Sequence, residues 1–163
     1  MRLTPVLAGF LATASAASIP RQADGSTWSI TNFFASSAPH SITTIYRFDI
    51  TDGTTPAYCV AFVSTDPDIG WAPITQCDNP IYSFAFVGAP QSQGLGYDLQ
   101  VWQGDPENTS CGAPATKCVY TGQKFFPASD VETVVDQSGN PNGNFDRLNT
   151  APDFTIARAA VHI

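Results

Sequence analysis

The chain is poor in the residues that catalysis and nucleic-acid binding draw on. Of 163 residues, 7 are Lys or Arg and 2 are His, against 14 Asp and Glu. Beyond Arg2 the basic residues (Arg21, Arg47, Lys117, Lys124, Arg147, Arg158) stand singly. Nucleic acid is gripped by clustered positive charge that displaces counterions, so no nucleic-acid partner is expected. An anionic membrane surface is disfavoured for the same reason. No stretch approaches the ~20 consecutive apolar residues of a membrane span. The histidines, His40 and His162, offer little for nucleophilic chemistry: there is no G-x-S-x-G elbow, and Ser41 would face away from His40 on a strand. The cysteines never form a C-x₂-C pair, so neither a structural zinc site nor another metal or cofactor is expected. Glu107 and Glu132 are the only glutamates, and most aspartates occupy turns such as Asp52-Gly53 and Asp78-Asn79-Pro80. The stretch from Asp136 to Gly143 fails as a calcium loop, because Pro141 stands where glycine is needed. The reading is therefore non-enzymatic.

What the chain does have begins at its start. Met1-Arg2, an apolar run from Val6 to Ala12 and the small residues Ala14-Ser15-Ala16 have the layout of a secretory signal, residues 1–16. Residues 17–25 then read as a flexible lead and 26–163 as a single β-barrel domain. Secretion into an oxidising space makes disulfides the default use of Cys59, Cys77, Cys111 and Cys118. Four cysteines allow three pairings, and the sequence does not choose among them, though proximity favours Cys59–Cys77 and Cys111–Cys118. An even count leaves no thiol for covalent dimerisation, so a monomer or weak non-covalent dimer is expected. Asn108-Thr109-Ser110 is the one N-x-[ST] sequon, making Asn108 a candidate glycosylation site.

With 13 Pro and 12 Gly, breakers arrive too often for long helices. Short runs of β-branched and aromatic residues between them predict an all-β fold, a compact antiparallel barrel or sandwich with at most one short helix. Ser41–Thr51 is the clearest strand, with Ile42, Thr44, Tyr46, Phe48 and Ile50 on one face. Ala57–Ser64 returns as a second. Further strands are expected at Thr27–Thr31, Ile74–Cys77, Ile81–Val87, Tyr97–Gln103, Lys117–Thr121 and Phe154–Ile163. Ile81–Val87 is apolar on both faces, as a strand covered on both sides would be. Pro127–Asp136 reads as a short helix or turn through the Ser129/Glu132 capping-box spacing, although Val131, Thr133, Val134 and Val135 favour a strand.

The order Trp28-Ser29-Ile30 with Phe33, then Tyr46-Arg47-Phe48-Asp49-Ile50, Cys59, Trp71, Cys77, Phe84-Ala85-Phe86 and Leu99-Gln100-Val101 resembles the Alt a 1 family of fungal secreted allergens and plant-defence elicitors. The likeness is best from Ser26 to Gln103. It implies a β-barrel with sequential disulfides, a fungal source and a non-enzymatic extracellular role in host interaction. The expected partner is a host plant extracellular protein. A small apolar or phenolic ligand, carried in a barrel lined by Tyr46, Phe48, Phe84 and Phe86, is the alternative, and a cell-wall glycan-binding or glycan-cleaving protein the third reading. Candidate contact residues are Trp71, beside Gly70 in the inter-cysteine loop, and the adjacent pair Phe125 and Phe126, one of which would face outward. Trp28 and Trp102, both in expected strands, are read as core or barrel-end packing.

Overall fold

The computed structural model describes residues 23–39, 41–64, 69–89, 94–104, 118–138 and 143–161. Among the described residues ten strands form one sheet: β1 Ala23–Ser37, β2 Thr43–Thr51, β3 Pro56–Ser64, β4 Ala72–Gln76, β5 Tyr82–Gly88, β6 Gly96–Gly104, β7 Cys118–Pro127, β8 Val131–Val134, β9 Phe145–Leu148 and β10 Phe154–Ala160. The main path runs β3-β2-β1-β10-β7-β6-β5-β4, with the short β8–β9 ribbon attached to β1 through β9. Its pairings are antiparallel, and the sheet curls into a nearly closed barrel.

The seam lies between β3 and β4. Cys59 on β3 is bonded to Cys77, just past β4, with Cα atoms 4.2 Å apart. Beside it the Asp78 N–H donates to the Tyr58 carbonyl at 2.9 Å, and the Tyr58 N–H donates to the Asp78 carboxylate at 2.6 Å. Unpaired strand edges are a liability, and here a covalent bond and two hydrogen bonds cover part of them. Cys111 and Asn108 lie outside the described residues, as do His40, His162 and the signal; for Cys118 the backbone alone, within β7, is described.

Alternation fills the interior. On β2, Thr44, Tyr46, Phe48 and Ile50 are buried, whereas Ile42, just ahead of the strand, is exposed instead of joining that face. Facing rings interlock: Tyr46 with Phe86 at 4.8 Å, Phe48 with Phe84 at 5.0 Å, Phe86 with Tyr97 at 5.3 Å, and Phe33 stacked on Phe126 at 5.2 Å. Each fully buried aromatic contributes roughly 2–3 kcal/mol of burial free energy. On β5 both faces are buried, outward Ser83 and Ala85 as well as inward Tyr82, Phe84 and Phe86.

Three expectations are corrected. The Pro127–Asp136 helix shrinks to one 3-10 turn, Ala128–Asp130, whose start lacks a side-chain cap. Its β-branched residues instead build β8, where Glu132 pairs in register with Arg147 and forms a 3.1 Å ion pair. The strand expected over Lys117–Thr121 continues to Pro127, and β1 already begins at Ala23, inside the expected lead. Gly122 lets β7 lie against β10: a Cβ there would stand 2.5 Å from the Ala157 carbonyl and 2.8 Å from Ile156.

Candidate partner-binding face

Strand β3 is built inside out. Its inward residues Ala57, Cys59 and Ala61 are small, and its outward residues Tyr58, Val60 and Phe62 are large. Small inward side chains leave room for Tyr46 and Phe48 from β2 and for the disulfide. The large ones have no such place, so Tyr58 is 41% and Phe62 69% exposed.

A bulge on β1 extends this face. Trp28 and Ile30 point inward, which by strict alternation would send Phe33 out and Phe34 in. Asn32 takes a left-handed backbone, φ 56°, and the β1–β2 register shifts between Thr31 and Phe34. Asn tolerates that conformation better than most residues, and its side chain anchors it by donating to the Asp49 carboxylate at 2.8 Å. The Asn32 N–H donates to Asp153 and the Phe33 N–H to the Pro152 carbonyl. The phase resets: Phe33 turns into the core and Phe34 turns out, 38% exposed.

Register brings the outward groups together. Arg47 pairs with Phe34 on one side and Val60 on the other, Ile45 with Phe62, and Asp49 with Tyr58. The Arg47 guanidinium lies 4.8 Å over the Phe34 ring. A surface groove of about 410 Å³ runs between Asn32, Phe34, Arg47, Tyr58 and Pro152. At the Ser64 end of β3, Ile42 and Trp71 add two more exposed apolar side chains. Trp71 follows Gly70, whose carbonyl accepts a hydrogen bond from the Tyr46 hydroxyl.

Of the contact residues expected from sequence, Trp71 is therefore a surface group, Phe125 is half-buried, and Phe126 is in the core at 1% exposure, stacked on Phe33. Phe126 is withdrawn as a contact residue because alternation on β7 points it inward. Trp102 departs the other way, lying half-buried on the outer face of β6. Tyr58, Phe62 and Phe34 were missed. The cue for β3 was present: once Cys59 is inside, alternation sends Tyr58 and Phe62 outside.

The other end of the barrel is polar and self-satisfied. Gln103 accepts from the Trp28 indole N–H at 2.8 Å and donates to Asp52 at 3.0 Å. Arg158 lies 3.6 Å from Asp52 and stacks 4.5 Å over the Tyr120 ring. Burial pushes the Asp52 carboxyl up, but bonds from the Thr54 and Thr55 N–H groups, the Gln103 amide and the Thr54 hydroxyl outweigh it and hold the pKa at about 2. These groups serve one another, which makes the cluster a polar plug. Burial raises the Asp98 carboxyl above its ordinary value, and among the described residues its Oδ1 has no hydrogen-bond partner. Burial likewise raises the phenols of Tyr46 and Tyr82, so both remain neutral donors. Among the described residues no three His, Cys, Asp or Glu side chains converge as metal ligands would.

Comparison with protein-family models and with curated proteins finds no match to this chain, so the likeness to the Alt a 1 family rests on the residue pattern alone.

Proposed function

We propose that the chain is a secreted, non-enzymatic binding protein of the fungal effector or elicitor kind, resembling the Alt a 1 family, and that it docks an extracellular host protein on the outer face of β1, β2 and β3. One observation carries this reading: three exposed aromatics, Phe34, Tyr58 and Phe62, stand on adjacent rigid strands around Arg47. Aromatic residues and arginine are the types that dominate protein–protein binding energy, and strands hold them at little entropic cost on association. Ile42 and Trp71 are two further exposed apolar side chains. The small-ligand alternative draws less support, since Tyr46, Phe48, Phe84 and Phe86, proposed to line a cavity, are spent on contacts with one another.

The test is infiltration of purified mature protein into leaf tissue. It should alter defence responses, and the Tyr58→Ser, Phe62→Ser double variant should lose most of that effect while keeping its circular dichroism and unfolding midpoint. Complete inertness across several hosts would overturn the function. A full response from the double variant would remove the face from it.

A further inference from the structure

We propose that a second face, on β6, β7 and β10, binds a neutral oligosaccharide of β-linked, gluco-configured sugars. Alternation on β6 sends Leu99, Val101 and Gln103 inward and Gln100 and Trp102 outward. Register sets Gln100 beside Gln123 and Trp102 beside Thr121 on the neighbouring strand. Ala157 and Ala159 of β10 flank them with almost no side-chain bulk. The result is a groove of about 510 Å³ lined by Trp102, Gln100, Gln123, Thr121 and the two alanines. That volume is within the range of small-molecule sites.

Its chemistry narrows the ligand. No charged side chain lines the groove, so an ionic ligand finds no counter-charge. Two amides each offer a donor and an acceptor, and a wholly apolar ligand would cover them without replacing their bonds to water. Among the described residues neither amide has a hydrogen-bond partner, so both are available. The indole supplies an apolar plate. A β-linked glucose unit carries its substituents equatorially, which leaves C–H groups on its ring faces for the indole and hydroxyls on its rim for the amides. The combination of one plate, two amides and no charge fits that class of molecule.

Cellohexaose, laminarihexaose and chitohexaose titrated by calorimetry into the mature protein test this. At least one should bind saturably, shifting the Trp102 indole N–H resonance. Trp102→Ala should weaken binding by up to about tenfold, the worth of one aromatic stack. Ala157→Leu, which fills the groove and keeps the indole, should do the same should Trp102→Ala fail to fold. Tyr58→Ser, Phe62→Ser should bind the sugar unchanged. The proposal is overturned by absence of binding to all three sugars, by binding indifferent to both groove variants, or by a flavonoid or a second copy of the chain taking the groove where sugars do not. Leaf responses play no part in this experiment, so its failure leaves docking on β1–β3 standing.

Discussion

Asn32 shows how much one backbone angle can decide. With φ at 56° it inserts the extra residue that turns Phe33 in and Phe34 out. A β-branched residue suffers most in the left-handed region, so Asn32→Val should cost about 1–2 kcal/mol, while Asn32→Gly should stay within several tenths of the parent. Denaturant midpoints measure both, and equal midpoints for Val and Asn would deny the bulge its role. Asp52 gives a pH-dependent counterpart. Its carboxyl falls from 3.8 to about 2 in the folded protein, so its charged form is the stabilising one. That contribution is complete above the unfolded value, near 4, and fades as pH falls through about 2. Asp52→Asn should therefore lose roughly 1–2 kcal/mol at pH 7, with the gap to the parent closing between pH 4 and pH 2 in urea unfolding. A gap independent of pH would refute the assignment. Asp98 runs the other way: its raised carboxyl favours the folded state when protonated, and that contribution is lost as pH rises.

At the scale of elements, the sequence was legible wherever alternation ran unbroken. The even-numbered residues of β2 from Thr44 to Ile50 are buried as their pattern requires, and β5 is covered on both faces. Legibility failed where the period breaks or where neighbours decide. Alternation from Trp28 and Ile30 would bury Phe34, and the bulge at Asn32 buries Phe33 instead. Strand β7 passes through Gly122-Gln123-Lys124, a polar stretch that hides a strand held by pairing with β6. Strands β8 and β9 have four residues each, too few to show a period. Trp102 reads as core or barrel-end packing from its place in a strand, yet alternation puts it, half-buried, on the outward face of β6 opposite Thr121, itself covered. The candidate face was half legible: Trp71 was found, and Phe62 could have been once Cys59 fixed the phase of β3.

For the whole molecule, what matters is which strands meet last. The edges β3 and β4 are far apart in the hydrogen-bonded order, and Cys59–Cys77 joins them across the seam. The bond closes a loop of 18 residues, for which chain entropy suggests about 3 kcal/mol. Removing both cysteines, as Cys59→Ala, Cys77→Ala, should lower stability by about that amount. Amide exchange should quicken first in β3 and β4 and least in β1 and β10, which have strand partners on both sides. Uniform acceleration over all strands would show that the seam is no separate weak point.

The placement of the tryptophans gives the molecule three optical reporters in three solvents. Trp28 is fully enclosed, its N–H tied to Gln103, while Trp71 stands in water and Trp102 lies half-sheltered in its groove. Each indole's emission answers to its own surroundings, so variants keeping a single tryptophan would report the interior, one rim and one flank in turn without an attached dye.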